Sequence, residues 1–340
     1  MSAKKVRVLI VDDSMLFRET VKSRLEEDNG IVVVSTAVDP YDARDKILMY
    51  EPDVMILDVQ MPKMDGIEFL KRLMPQYPLP VVVMSSVDTN VFDALKYGAV
   101  EFVNKPSNTS DSSLELFIKE LIIKVKIASI ANVSGLKQVI RKSHEEGGKH
   151  HKINRKIIAI GASTGGTEAL YEILHKLPAD APGIVIVQHM PPVFTKMYAQ
   201  RLNTTCKMMV KEAEDGDEVQ EGLVLIAPGG LQMKLSKLSN RIVVKLFNGE
   251  KRNGHIPSVD VLFDSVAQIY GKQAVGVILT GMGQDGAYGL LNMKTEGAKT
   301  IGQDERSSIV YGMPKVAYDI GAVDYQLPVA EIHKKILDLV

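Results

Sequence analysis

The fold of the first third of the chain is decided by residues 6–14, VRVLIVDDS, in which a mostly apolar run ends in two aspartates. Similar short β-branched runs recur at residues 31–36, 54–57, 81–84 and 101–103. Stretches with apolar residues at helical spacing separate these runs. Strands that alternate with helices predict right-handed crossovers and a parallel sheet covered on both faces. We therefore expect residues 1–131 to form an α/β domain with a five-stranded parallel sheet.

The alternation stops at residues 132–154, where glycine, serine and charged residues replace the apolar positions. This composition is typical of a linker. A second strand and helix series fills residues 155–340, with strand candidates at 156–160, 184–187, 207–211, 223–226, 241–247 and 274–279. Residues 232–247, with a turn near Ser239 and Asn240, predict an antiparallel hairpin. We expect a second, larger domain that is doubly wound and mainly parallel.

Composition limits the classes of function. The formal net charge is -1 over 340 residues, and a protein that neutralises a nucleic-acid backbone usually carries a basic excess. Cys206 is the one cysteine, which fits a reducing cytoplasm. No apolar stretch approaches the ~20 residues that a bilayer span requires. We expect a cytoplasmic protein that neither binds nucleic acid nor inserts into a membrane.

Acidic side chains follow the predicted strands of the first domain. Asp12 and Asp13 end the first strand and Asp58 ends the third, while Ser85 follows the fourth and Lys105 the fifth. Because the carboxyl ends of parallel strands meet at one edge of the sheet, these side chains should converge there. Clustered carboxylates are suitable ligands for Mg²⁺. One carboxylate beside such an ion can accept a phosphoryl group, and a lysine can hold the transferred oxygens.

The first domain resembles the response-regulator receiver family in residues 9–14 (LIVDDS), 57–66 (LDVQMPKMDG) and 104–106 (NKP). The resemblance implies a flavodoxin-like fold and phosphorylation on Asp58. The groups that it assigns to Mg²⁺ are Asp12, Asp13, Asp58 and the carbonyl of Val59. The residues that it assigns to switching and phosphate contact are Ser85, Phe102 and Lys105.

In the second domain a glycine-rich turn follows the first predicted strand. Residues 161–166, GASTGG, satisfy the formula of a nucleophile elbow, which presents Ser163 on a sharp turn between a strand and a helix. The same kind of turn can cradle a phosphate group. The formula alone leaves both interpretations open.

Two further residues favour catalysis. His189 and Asp285 each follow the end of a predicted parallel strand, so both can meet Ser163 at one edge of the sheet. A serine nucleophile requires a base, and the base requires an orienting carboxylate. The order Ser, His, Asp differs from that of α/β-hydrolases.

A nucleotide-binding domain is the stronger alternative to an enzyme, but its second strand should end in an acidic residue rather than in Gln188 and His189. A DNA-binding domain would require a basic helix-turn-helix, which is not visible.

This domain resembles the chemotaxis protein-glutamate methylesterases in residues 161–166, 188–192 (QHMPP), 226–229 (IAPG), 257–263 (PSVDVLF) and 280–286 (TGMGQDG). The catalytic residues that the resemblance implies are Ser163, His189 and Asp285, and the oxyanion and positioning residues are Thr164 and Met282. His255 corresponds to a further pocket histidine. Ile256 follows it where relatives often carry a basic residue.

Together the two resemblances imply one kind of regulated enzyme. The expected reaction is the hydrolysis of glutamate methyl esters on methyl-accepting chemotaxis receptors, with deamidation of receptor glutamines as a second activity. The expected phosphodonor is a chemotaxis histidine kinase, and the expected outcome is sensory adaptation. The receiver should require Mg²⁺, whereas the esterase should require no cofactor.

Overall fold

The structure is a computed structural model that describes residues 4–62, 64–85, 91–106, 111–133 and 156–340. The chain divides into two compact units, Met1–Ile140 and Arg141–Val340. Nearly all of the predicted linker, residues 132–154, lies outside the described residues. The domain bounds 1–131 and 155–340 therefore stay a prediction.

The first unit is an α/β domain. Its described strands are β1 (Val6–Val11), β2 (Ile31–Ala37), β3 (Val54–Asp58), β4 (Val81–Ser85) and β5 (Glu101–Asn104). Its described helices are α1 (Met15–Leu25), α2 (Pro40–Tyr50), α3 (Gly66–Leu73), α4 (Val91–Lys96) and α5 (Asp111–Ala128). The strands form a five-stranded parallel sheet with the order β2-β1-β3-β4-β5. This confirms the predicted fold of the first domain.

Polar residues that follow the strands begin the helices of this unit. Ser14 caps α1 by accepting a hydrogen bond from the backbone N–H of Phe17, Asp39 caps α2, and Asp65 caps α3. Each cap satisfies N–H groups that have no partner within the helix. Strands β3 and β4 on either side of α3 are buried along their whole length. The chain therefore turns at the sheet edge where the acidic side chains lie.

The second unit is larger. Its strands are β6 (Ile157–Ala162), β7 (Gly183–Gln188), β8 (Met209–Glu212), β9 (Leu223–Ile226), β10 (Gln232–Leu238), β11 (Arg241–Phe247), β12 (Ala274–Ile278), β13 (Lys299–Gln303) and β14 (Tyr325–Leu327). Its helices are α6 (Gly166–Leu174), α7 (Phe194–Thr205), α8 (Val259–Tyr270), α9 (Ala287–Thr295), α10 (Met313–Asp319) and α11 (Val329–Leu339). Seven strands form a parallel sheet with the order β14-β13-β12-β6-β7-β9-β8, and β10 pairs with β11 as the predicted hairpin.

The strand order reverses at the centre of this sheet. From β6 the chain first adds β7 and its neighbours on one side, and later adds β12, β13 and β14 on the other. In open parallel sheets, ligand sites lie beyond the carboxyl ends of the strands at such a reversal. The ends of β6, β7 and β12 are therefore the expected place for a site.

The long helices close the core around the central strands. α8 packs against β6, β7 and β12 and also contacts the hairpin strand β10. Both β6 and β7 are completely buried, and this explains their continuous apolar sequence. Among the described residues, no helix is both long and apolar enough to cross a bilayer.

Candidate functional site

Ser163 lies in the turn between β6 and α6. Its backbone N–H donates to the carbonyl of Thr280 at 3.0 Å, and its own carbonyl accepts from the N–H of Gly166 at 2.7 Å. Gly165, at the start of α6, adopts a positive φ of 76°, which glycine accommodates without strain. The turn that carries the candidate nucleophile is therefore tied both to its own helix and to the residues that follow β12.

Two glycines allow the close packing around this turn. A Cβ on Gly161 would lie 2.2 Å from Cγ1 of Val259, and a Cβ on Gly281 would lie 2.6 Å from Cβ of Ser163. Any side chain at either position would displace its neighbours. The motifs around Ser163 and Met282 contain glycine because neighbouring residues pack directly against these backbones.

His189 forms a direct hydrogen bond with Asp285. Nε2 of the imidazole lies 2.8 Å from Oδ2 of the carboxylate, and the two side chains are 8% and 0% exposed. The backbone N–H of His189 donates to the carbonyl of Ala162 at 3.1 Å, which ties the histidine to the residue before Ser163. The other ring nitrogen, Nδ1, is buried and has no hydrogen-bond partner among the described residues.

Asp285 is surrounded by donors. Its Oδ1 accepts from Oγ of Ser258 at 2.7 Å and from the side-chain amide of Asn253 at 3.1 Å, while Oδ2 accepts from the N–H of Val259 at 2.7 Å. Burial opposes ionisation of this carboxyl. The hydrogen bonds from His189, Ser258 and Asn253 outweigh burial and hold the pKa of Asp285 below its usual range. The carboxylate therefore stays ionised and holds the imidazole in one orientation.

A second imidazole covers the first. The ring of His255 stacks on that of His189 with their centroids 3.7 Å apart and their planes 6° from parallel. Burial and the neighbouring His189 lower the pKa of His255 to about 4. His255 is consequently neutral near pH 7, and its stacking on His189 adds no like charge.

Of the two predicted oxyanion and positioning residues, Thr164 adjoins the candidate nucleophile in sequence, whereas Met282 is brought near it by the fold. Thr164 is buried, and its carbonyl lies 2.9 Å from the hydroxyl of Thr280. Met282 follows Gly281, which packs directly against Ser163. The Met282 side chain is 43% exposed. Both peptide units are therefore next to Ser163.

Sequence reasoning missed three residues that shape this site. Asn253 and Ser258 bind Asp285 from the loop after the hairpin, and Gln188 donates hydrogen bonds beside Ser163 and His189. Ser258 and Gln188 lie inside motifs that carry the resemblance, but nothing in those motifs indicates their hydrogen bonds, and Asn253 lies outside every motif. Their roles depend on contacts between segments that are remote in the sequence.

In the first unit, the strand ends bring the predicted acidic residues together. Ligand oxygens of Asp12, Asp13 and Asp58 lie within 4.8 Å of one another. Nζ of Lys105 lies 2.6 Å from Asp12 Oδ2 and 2.7 Å from Asp58 Oδ2. Three oxygen ligands at this spacing fit a hard divalent cation such as Mg²⁺.

Asp58, the candidate phosphoryl acceptor, is buried in this cluster. Its burial raises the pKa of the carboxyl, although the ammonium of Lys105 acts in the opposite direction. The carbonyl of the next residue, Val59, accepts a hydrogen bond from the N–H of Gly66 at 2.9 Å. A Cβ on Gly66 would lie 2.4 Å from the Asp58 carbonyl, so only glycine allows the loop to close here.

The two predicted switch residues, Ser85 and Phe102, are both buried. The carbonyl of Ser85 accepts from the N–H of Lys105 at 2.8 Å, which connects β4 to the lysine. Nζ of Lys124 lies 5.0 Å from the centroid of the Phe102 ring and donates to the Phe102 carbonyl. The Phe102 ring is therefore packed inward beside α5.

Comparisons with known proteins match both units. Residues 158–336 match the family model described as CheB methylesterase, and residues 8–116 match the response regulator receiver domain. A protein-glutamate methylesterase/protein-glutamine glutaminase of Syntrophomonas wolfei is 55% identical over 340 residues and covers 100% of this chain and 99% of its own length. A relative of the same name from Sulfurimonas denitrificans is 50% identical, with 98% of each chain covered.

A solved structure supports the same relationship. The CheB methylesterase catalytic domain of Thermotoga maritima is 44% identical and superposes with a TM-score of 0.54. It covers 54% of this chain and 98% of its own length. Fold and sequence thus define a response regulator in which a receiver precedes a doubly wound α/β output domain. The chain belongs to the CheB methylesterase family.

Proposed function

We propose that this protein hydrolyses glutamate methyl esters on methyl-accepting chemotaxis receptors and deamidates receptor glutamines. The names of full-length relatives support this substrate class. The observation that carries the chemistry is the buried bond between His189 Nε2 and Asp285 Oδ2, which leaves Nδ1 without a partner among the described residues. Ser163 follows β6. In the sheet, β6 lies between β7, which precedes His189, and β12, which precedes Asp285.

In the proposed reaction Ser163 Oγ attacks the ester carbonyl carbon and His189 takes the hydroxyl proton on Nδ1. Asp285 accepts the hydrogen bond from Nε2–H and stabilises the imidazolium that forms. The C–O bond to the methoxy group then breaks, and His189 returns the proton so that methanol leaves. Water then attacks the carbonyl carbon of the glutamyl-enzyme while His189 takes one of its protons. The bond from that carbon to Ser163 Oγ breaks, and His189 returns the proton to Oγ, which releases glutamate and free Ser163. With a glutamine substrate the leaving group is ammonia.

The tetrahedral intermediate requires donors for its oxyanion. We assign this role to the backbone N–H of Met282, with Thr164 as a positioning residue, because both peptide units adjoin Ser163. Loss of one such donor typically costs about 2.7–4 kcal/mol of transition-state stabilisation.

Regulation is proposed to pass through the receiver. A chemotaxis histidine kinase is the proposed phosphodonor for Asp58, and Lys105 would contact the transferred phosphoryl oxygens. Asp12, Asp13, Asp58 and the Val59 carbonyl would hold Mg²⁺, which neutralises charge that develops on the phosphoryl group. Phosphorylation adds roughly −1.5 to −2 charges, and Ser85 and Phe102 would respond to it. The proposed setting is the cytoplasm, and the proposed outcome is sensory adaptation.

Methanol release from methylated receptor membranes tests this function. The wild-type protein should release methanol, and acetyl phosphate with Mg²⁺ should accelerate the release. Ser163→Ala should remove nearly all turnover because no other group supplies the nucleophile. Undiminished release by Ser163→Ala would exclude Ser163 from the mechanism. Absence of release from wild type under every condition would contradict the proposed function.

A further inference from the structure

The side chain of Gln188 connects the main chains of two proposed catalytic residues. Its Nε2 donates to the carbonyl of Ser163 at 2.9 Å and to the carbonyl of His189 at 3.2 Å. Both neighbours are acceptors, so only the NH₂ end of the amide satisfies them. The single amide of Gln188 thus donates hydrogen bonds to the main-chain carbonyls of both the proposed nucleophile and the proposed base.

This contact begins where the regular sheet ends. The pairing of β6 with β7 runs as far as Ala162 and Gln188. Ser163 and His189 are the next residue on each strand, and both leave the ladder to enter turns. The hydrogen bonds of the Gln188 side chain connect the two chain segments one residue beyond the last strand pair. They thereby fix the spacing of the two backbones from which Ser163 Oγ and the imidazole project.

The surrounding chain makes room for this amide. Gln188 is 3% exposed. A Cβ on Gly166 would lie 2.2 Å from Gln188 Oε1, in addition to 2.7 Å from Cβ of Ala162. The absence of a side chain at Gly166, the first residue of α6, therefore leaves the space that the Gln188 amide occupies.

The amide also carries an energetic cost. Gln188 Oε1 is buried and has no hydrogen-bond partner among the described residues. A buried acceptor without a partner destabilises a fold, and an apolar side chain of similar volume would avoid that cost. The two hydrogen bonds that Gln188 donates offset this cost, and both are made to the main chains of proposed catalytic residues.

We propose that Gln188 is a positioning residue that sets the distance between Ser163 and His189 by hydrogen-bonding both of their carbonyl groups. It contacts neither the substrate nor the reacting atoms. It acts on the alignment of Oγ with Nδ1, on which the attack depends, because displacement of a reacting group by about 1 Å can reduce the rate roughly 100-fold. This inference rests on the proposed esterase function.

The test compares steady-state methanol release from methylated receptor membranes by full-length wild type, Gln188→Met and Tyr198→Phe. Methionine keeps the length and buried volume of glutamine but donates no hydrogen bond. Tyr198→Phe is the matched control, since it also removes a buried side-chain donor to a carbonyl of the same domain, that of Thr167 at 2.7 Å.

Gln188→Met should lower kcat about 10- to 100-fold and change KM by less than about twofold, because alignment is lost while docking is retained. Its melting temperature should stay within a few degrees of wild type, and Tyr198→Phe should keep kcat within about twofold of wild type. If Gln188→Met fails to fold, Gln188→Leu, which is also apolar and donates no hydrogen bond, takes its place with the same expectation.

A folded Gln188 variant with wild-type kcat overturns the proposal, as does a variant whose KM rises while kcat is unchanged. An equal loss of kcat in Tyr198→Phe also overturns it, because the effect would then follow from any lost buried hydrogen bond. If wild type itself releases no methanol, the proposed function fails and this inference falls with it.

Discussion

At the scale of single residues, the stacked pair of imidazoles links the site to the pH dependence of stability. The pKa of His255 is lowered to about 4 by burial and by His189, whereas a histidine in an unfolded chain titrates near 6.5. Between these two values the unfolded chain binds a proton that the folded chain does not. Stability contributed at this position is therefore lost as the pH falls from about 6.5 towards 4.

His255→Phe should reduce this pH dependence. The phenyl ring preserves the stack on His189 but binds no proton, so the fall in melting temperature between pH 7 and pH 5 should be smaller than in wild type. Melting curves followed by circular dichroism at both pH values measure the difference. An unchanged fall would show that His255 does not bind a proton on unfolding in this range.

The site residues that were predictable from sequence are those with their own motifs. Ser163, His189 and Asp285 each follow a strand, and strand ends converge for topological reasons. Asn253 was not predictable, because its contact with Asp285 depends on where the loop after the hairpin comes to lie. Gln188 was visible only as the neighbour of His189, since nothing in the sequence gives the direction of its side chain.

At the scale of strands and helices, prediction succeeded where apolar side chains form continuous runs. The predicted strands at residues 223–226 and 241–247 coincide with β9 and β11. By contrast β13, with the sequence KTIGQ, was missed because lysine, glycine and glutamine hide its pattern, although four of its residues are buried. Helix α7 was missed because it follows two prolines and carries many polar residues. Both β13 and α7 therefore depend on tertiary packing rather than on a local sequence pattern.

The contact between β6 and α8 predicts a strict requirement for glycine. Gly161→Ala would place its Cβ 2.2 Å from Cγ1 of Val259, and overpacking of this kind typically costs about 1–3 kcal/mol. Urea denaturation should show this loss in the free energy of unfolding. Gly249→Ala is the control, because Gly249 is exposed and a Cβ there would lie 3.1 Å from its nearest side-chain atoms, which belong to Gln232 and Phe247. It should change stability by less than about 0.5 kcal/mol. Equal stability of both variants would contradict the close packing.

At the scale of the whole molecule, the receiver and the output domain each have a site built at the ends of parallel strands. Asp58 is buried beside Lys105, with its pKa raised by burial, and it is the proposed phosphorylation site. The effect of phosphorylation on the esterase is consequently separable from catalysis, because the two sites share no residue.

Asp58→Asn should abolish the acceleration of methanol release by acetyl phosphate and leave basal release within about twofold of the untreated wild type. Removal of divalent cations from wild type by chelation should have the same effect if, as the sequence predicts, the metal serves the receiver and the esterase requires no cofactor. Asp28→Asn, which removes a surface carboxylate paired with Lys126 at 2.7 Å, is the control and should keep the acceleration. Persistent acceleration in Asp58→Asn would exclude Asp58 as the phosphoryl acceptor.

The strand order of the second unit also has a consequence for biosynthesis. β6, which carries the nucleophile turn, pairs with β7 on one side and with β12 on the other. During translation β7 emerges soon after β6, but β12 (Ala274–Ile278) and Asp285 emerge about a hundred residues later. Domains generally fold as units as the chain leaves the ribosome. We therefore expect a nascent chain to lack esterase activity until β12 and Asp285 have been made, because Asp285 belongs to the proposed catalytic triad. A truncated product that ends before β12 should be inactive for the same reason.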